Sequence, residues 1–373
     1  MAITRRHALL LAAGAASTAG LRTTGARGSP SQTSDASSIP PGVVTLDDFE
    51  ALAQQRLSAQ DFAIVHSGVA DDTTVRWNRE AFQRLRLRPR VLADVSQLDT
   101  RLTLLGQSLA HPILLAPAGV HGQMHPRGEV ETARGASRSK TVLVIPSMPS
   151  APVEDIVRAG DPAPWYQLYV TRDRGATRDE AQHAEHAGCR VLVVTVDGVA
   201  PGVRNALMRP PFPPVATPGG LHTIADAALT WKDIAWLRTV VRLPVVVKGI
   251  LDPADAERAA GEGVAAIVVS NHGGRILDTA PATIDALPAV AEKVAGRIPI
   301  LVDGGIRRGT DVLKALALGA SAILVGRPFL YGLGVAGADG VHRVLTILRE
   351  EFEMAMALTG RPSLRGIDRS VVW

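Results

Sequence analysis

Short apolar runs recur along most of the chain, each followed by a polar turn and a stretch with helical spacing. They fall at 113–118, 142–147, 165–170, 191–197, 245–249, 266–271, 300–304 and 322–326. The runs are rich in Val, Ile and Leu without strict alternation, which predicts parallel strands covered on both faces. The helical stretches have clear stops. One, through Ala256, Glu257 and Arg258, ends at Gly261 and Gly263 before the sixth run. Eight strand–helix units predict an α/β protein of the closed (β/α)8 TIM-barrel type. An open doubly wound sheet would carry a Gly-rich turn after its first strand, and Ala116-Pro117-Ala118-Gly119 lacks that pattern.

Ahead of the barrel the pattern is helical from about 44 to 90. One predicted helix opens at Leu46 with Asp47 and Asp48 in its first turn; a second passes through Phe62 and Val65 and stops at Ser67-Gly68. This N-terminal helical extension belongs with the barrel, giving one domain over 45–373. Residues 31–44, rich in Ser, Thr and Pro, read as a linker. Residues 1–30 read as an export signal. Arg5 and Arg6 precede a short apolar run from Ala8 to Ala16, and the paired arginines indicate the twin-arginine route.

Composition narrows the function. The net charge of +4 and the lack of a basic block with interleaved aromatics argue against a nucleic-acid partner. No apolar run is long enough for a membrane span. The single cysteine, Cys189, rules out an intramolecular disulfide and reads as a buried, inert thiol. The histidines show no metal-ligand spacing, so no metal is expected.

Barrel enzymes place their chemistry at the C-terminal ends of the strands. The fifth run ends at Lys248, a cation that is costly to bury without an anion or acceptor. The sixth ends in Ser270-Asn271-His272-Gly273-Gly274-Arg275, a candidate general base beside a candidate anion clamp. The seventh ends in Asp303-Gly304-Gly305-Ile306-Arg307 and the eighth in Gly326-Arg327. Glycine turns after these two strands, with a helix N-terminus, form the usual phosphate site of such barrels. Gln167 and Tyr169 are two apart and share a face. Asp197 ends the fourth run, placed to orient the histidine.

The segments 270–278 and 303–311 resemble signatures of the FMN-dependent 2-hydroxy-acid oxidases and dehydrogenases, and the resemblance runs from about residue 44 to the end. It implies FMN as cofactor and a small-molecule 2-hydroxy acid as substrate. Reduced flavin would be reoxidised by oxygen or another acceptor, and a homo-oligomer is implied. Lys248 would stabilise the anionic reduced ring, and Gln167 and Thr195 would bind its polar edge. Ala118 and Gly119 would face its N5 side, with Ser147 and Ser270 in the same cofactor set. Asp303, Gly304, Gly305, Arg307, Gly326 and Arg327 would hold the phosphate. His272 would be the base, Asp197 its partner, Arg275 and Arg204 the carboxylate clamp, and Tyr169 a substrate contact.

The departures from the family pattern are specific. Ile64 stands where a carboxylate-binding tyrosine is usual, Met148 replaces an aromatic residue, Pro146 a serine, and Ile276 a glutamine. A more apolar pocket follows from Ile64 and Ile276, pointing to an aryl or branched (S)-2-hydroxy acid. Gly119 replaces the alanine of simple oxidases, which leaves dehydrogenase and lactate-monooxygenase chemistry open. Residues 209–222, rich in Pro and Gly, read as a lid. Two competing readings are a flavin-dependent isomerase and an exported flavin-binding protein without turnover.

Overall fold

A computed structural model describes residues 38–209, 211–212 and 225–373. The export signal, residues 31–37 and nearly all of the expected lid lie outside the described residues.

The eight apolar runs are eight strands: β1 (Ile113–Leu115), β2 (Val144–Ile145), β3 (Trp165–Leu168), β4 (Leu192–Thr195), β5 (Val245–Ile250), β6 (Ala266–Val269), β7 (Ile300–Asp303) and β8 (Ala322–Val325). All pair in parallel, in the order β1-β8-β7-β6-β5-β4-β3-β2. A parallel bridge between Leu115 and Leu143 joins β1 to the approach of β2, and Leu115 N donates to Val142 O at 3.0 Å. That contact closes the barrel.

The missing alternation has a simple cause: each face of every strand is buried, one face inside the barrel and the other under the helices. The interior is packed by Leu114, Val144, Trp165, Val193, Val246, Val268, Leu301 and Leu324. The outward-facing residues, such as Ile113, Tyr166, Val194 and Val302, belong to the larger core shared with the helices. A hairpin of Leu102–Leu104 and Gln107–Leu109 adds Leu104 and Leu109 to the interior cluster. Gln107 there accepts a hydrogen bond from the Trp165 indole at 2.5 Å. The strand pattern did not reveal this hairpin.

Three helices precede the barrel: α1 (Leu46–Arg56), α2 (Ala59–His66) and α3 (Thr73–Arg84). Thr45 and Asp48 form a capping box at the start of α1, and Ser58 caps α2. The last residues of the predicted linker pack on the body, since Val43 is buried in the core and Ile39 lies against it. Cys189 is buried, and burial pushes its thiol up to about 12. No helix among the described residues is long and apolar enough to cross a membrane.

Candidate active site

Side chains two residues apart on a strand share a face. Stepping by two from the apolar interior residues Trp165, Val193, Val246, Val268 and Leu301 reaches Gln167, Thr195, Lys248, Ser270 and Asp303. The interior therefore turns polar in one layer, at the C-terminal end of five neighbouring strands. All five residues are buried. Above them opens a cavity of about 660 Å³.

Lys248 is the centre of this layer. Its Nζ donates to Ser270 Oγ at 2.9 Å and lies 3.2 Å from Asp303 Oδ2. Burial works against the ammonium, but Asp303, Asp197 and Tyr169 together hold its pKa above the ordinary lysine value. A cation fixed in this way faces the cavity at any physiological pH.

His272 and Asp197 form a pair, with Nδ1 3.0 Å from Asp197 Oδ1. Burial alone would raise the Asp197 carboxyl, yet His272 and Lys248 draw it below the usual aspartate range. An ionised Asp197 accepts from Nδ1–H, which leaves the imidazole lone pair on Nε2. His272 sits at φ +57°, in the left-handed region. It is flanked by Gly273 and Gly274, which also have positive φ. Burial, ahead of the opposing charge of Lys248, pushes the Tyr169 phenol up, so it stays protonated and able to donate.

Three arginines converge on the C-terminal end of α2. Arg275 Nη1 donates to Ile64 O at 2.9 Å and Ser67 O at 3.1 Å. Arg204 Nη2 donates to the same Ile64 carbonyl at 3.0 Å and to Ser67 Oγ at 3.1 Å. Arg327 uses Nε for Val65 O at 2.9 Å and Nη1 for Gly273 O at 2.9 Å. Carbonyls left free at a helix C-terminus attract cations, and they do so here without neutralising them. Arg275 is driven down to about 9 by burial and by the charges of Arg204 and Arg327. Arg307 is driven down to about 10 by burial, Arg79 and Arg327. Both positions ask for an anion.

FMN fits these walls. Buried atoms of lining residues lack partners among the described residues: Gln167 Nε2, Ser147 Oγ, Asp303 Oδ1 and Arg307 Nε. A Cβ added at Gly119 or at Gly326 would meet nothing within 4 Å, so backbone borders open space at both. Gln167, Ser147 and Lys248 would serve the polar edge of the ring. Arg307, Arg327 and the N-terminus of the helix Arg327–Leu358 would hold the phosphate.

Of the residues expected from sequence, Ala118, Gly119, Ser147, Gln167, Tyr169, Lys248, His272, Arg275, Asp303, Gly304, Gly305, Arg307, Gly326 and Arg327 line the cavity. Thr195, Asp197, Arg204 and Ser270 do not; they stand behind the wall. Ser270 Oγ is taken by Lys248 and by the His272 amide. Thr195 pairs in register with Lys248. Arg204 is held by α2. Each adjoins a residue that does line it: Thr195 and Ser270 beside Lys248, Asp197 beside His272, and Arg204 on the Ile64 carbonyl that Arg275 also uses.

Sequence reading missed Glu129, a buried lining residue whose Oε2 accepts from Ser150 N at 2.9 Å. An acid in the first turn of a helix reads as ordinary capping, so nothing marked it. No group of three or more His, Cys, Asp or Glu among the described residues is arranged to hold a metal.

Residues 53–373 match the model of the family described as FMN-dependent dehydrogenase. A peroxisomal (S)-2-hydroxyacid oxidase of Arabidopsis thaliana is 42% identical over 88% of this chain and 96% of its own. A mandelate oxidase crystal structure is 40% identical with a TM-score of 0.81, covering 86% of this chain and 96% of that one. A flavocytochrome b2 structure with pyruvate bound is 38% identical with a TM-score of 0.86, covering 90% and 88%.

Proposed function

This chain belongs to the FMN-dependent dehydrogenase family and is an oxidoreductase that acts on the CH–OH group of a 2-hydroxy acid with FMN, and from that premise we propose that its substrate is an aryl or branched (S)-2-hydroxy acid, with His272 as the base. Family membership displaces the isomerase reading. FMN, when bound, supplies the two-electron acceptor; the rest is the work of side chains.

The observation that carries the role of His272 is its pairing with Asp197 on the wall that also holds Arg275 and Tyr169. Arg275 and Arg204 would take the substrate carboxylate through charge-assisted hydrogen bonds. Tyr169 would donate to a substrate oxygen. His272 Nε2 would accept the hydroxyl proton as the α-carbon loses two electrons and a proton, and the imidazolium so formed would be stabilised by Asp197. Lys248 would oppose negative charge gained at the cofactor's polar edge.

The apolar preference rests on Ile64, which lines the cavity; Ile276, the other residue it was expected from, is not among the residues that line it. Anaerobic bleaching of the flavin by a panel of acids tests it. Mandelate or 2-hydroxyisovalerate should reduce the flavin with at least about tenfold higher efficiency than glycolate, the order a few apolar contacts supply. Preference for glycolate would contradict it.

Gly119 favours a second reading of the oxidative half. A Cβ there would meet nothing within 4 Å, so glycine leaves this wall of the cavity more open than the alanine of simple oxidases would. Simple oxidation releases the 2-oxo acid and hydrogen peroxide. Internal monooxygenation releases the shortened carboxylic acid, carbon dioxide and water. Product analysis in air distinguishes the two. Export by the twin-arginine route is likewise proposed from Arg5 and Arg6, and replacing both by lysine should retain the protein in the cytoplasm.

A further inference from the structure

Helix α3 lies outside the barrel, yet it is clasped to the segment that carries His272. At its N-terminus the Asp278 carboxylate accepts from Asp71 N, Thr73 N and Thr74 N at 3.1, 3.3 and 2.7 Å. Thr74 Oγ1 donates to Ala280 O at 3.2 Å. In the middle of the helix stands Asn78, which is 2% exposed. Its amide forms a reciprocal pair with Asn271: Asn78 Nδ2 donates to Asn271 Oδ1 at 2.9 Å, and Asn271 Nδ2 donates to Asn78 Oδ1 at 2.8 Å. Asn78 Oδ1 also accepts from Thr283 N at 3.2 Å, and Asn271 Nδ2 also donates to Pro281 O at 3.0 Å. Each side-chain nitrogen and oxygen of the pair has a partner inside the protein, and a satisfied buried polar network favours one geometry.

Asn271 is the residue before His272, and His272 holds a left-handed φ that a non-glycine residue adopts only at a cost. Such a conformation persists where neighbours over-determine it. The two glycines that follow are held through their carbonyls, Gly273 O accepting from Arg327 Nη1 at 2.9 Å and Gly274 O from Val69 N at 3.0 Å. On the preceding side the constraint comes through the Asn271 amide locked to α3, with the His272 amide donating to Ser270 Oγ at 3.1 Å.

We propose that Asn78 is a positioning residue for the reaction: through Asn271 it fixes the backbone of His272 so that the imidazole meets both Asp197 and the substrate hydroxyl. This rests on the reading of His272 as the base. The N-terminal helices then contribute to catalysis without touching the reacting atoms.

The test is the limiting rate of anaerobic flavin reduction in Asn78→Ala, Asn271→Ala and the double variant, at saturating FMN and substrate. Each single change should slow reduction by roughly 10- to 100-fold, the scale of a misplaced catalytic group. The double variant should be no slower than the slower single, because the two residues act as one contact. Substrate dissociation constants should stay within about threefold, a small fraction of that scale, because Arg275 is anchored on α2 instead. If Asn78→Ala does not fold, Asn78→Asp keeps the acceptor for Thr283 N and loses the donor to Asn271, and should slow reduction on its own. Native-like reduction in Asn271→Ala, or losses that multiply in the double variant, would overturn the proposal. His272→Ala separates the two failures. If it too reduces flavin normally, the base assignment is wrong; if it is slow while Asn271→Ala is fast, only the role of Asn78 falls.

Discussion

Lys248 Nζ lies 3.2 Å from Asp303 Oδ2 at the centre of the barrel's polar layer, and both side chains are buried. The pair sits where the apolar interior would otherwise continue, so it is retained against a desolvation cost. Removing one partner of such a pair typically destabilises by about 3–5 kcal/mol, because the other is left as a buried charge. Lys248→Met should show a loss of this order in urea unfolding of the apoprotein. The sign of its pH dependence follows from the raised pKa of Lys248. Its contribution is fully present below the ordinary lysine pKa, about 10.4, and is lost only as pH rises through the higher folded value. The difference between native and variant should therefore be flat from pH 7 to 10. A difference that shrinks within that window would show that the charge is not held as described.

The cations at the other end of the cavity predict an effect of anions. Arg275, Arg307 and Arg327 donate to main-chain carbonyls and form no ion pair among the described residues. FMN-free protein should gain stability in inorganic phosphate, about 2.7 kcal/mol when the ion is a hundredfold above its dissociation constant. Arg307→Ala should abolish most of the gain in a thermal melt. An equal gain in the variant would place the anion elsewhere.

Two glycines of the expected phosphate turns should respond in opposite ways to alanine. At Gly305, with φ +83°, a Cβ would fall 1.9 Å from Asn78 O. Gly305→Ala should cost about 2–5 kcal/mol from strain and overpacking. At Gly326 a Cβ meets nothing within 4 Å. Gly326→Ala should keep the stability of the apoprotein and weaken FMN binding by entering the cavity. Equilibrium unfolding and flavin fluorescence titration read the two effects separately, and equal destabilisation at both sites would contradict the placement.

Ile64 lines the cavity while its carbonyl anchors Arg204 and Arg275. A hydrogen bond to a charged group is worth about 1.5–3 kcal/mol. Ile64→Tyr should therefore raise kcat/KM for glycolate roughly tenfold or more. An unchanged value would mean that position 64 supplies no hydrogen bond to the carboxylate.

The sequence made the barrel legible because its strands are buried on both faces and stop at glycine turns. It made Lys248, His272, Arg275 and Arg307 legible because charged or titratable residues ending apolar runs have few structural reasons to be there. Other features depended on contacts between distant segments. Asn78 and Asn271 are 193 positions apart and carry no charge to mark them. Glu129 looked like a helix cap. For Arg204 and Ser270 the sequence did not show the bonds to a carbonyl of α2 and to the Lys248 ammonium. The hairpin closing the barrel interior was too short to show a period.

His272 provides the most direct test of the account. His272→Ala should still bind FMN, because Lys248 and the phosphate turns do not depend on its ring. With a confirmed 2-hydroxy acid under nitrogen, stopped-flow absorbance should show flavin reduction slowed by at least roughly 100-fold, the lower end of what a general base contributes. Reduction at close to the native rate would contradict the proposed role of His272, and loss of FMN from the variant would make the residue structural.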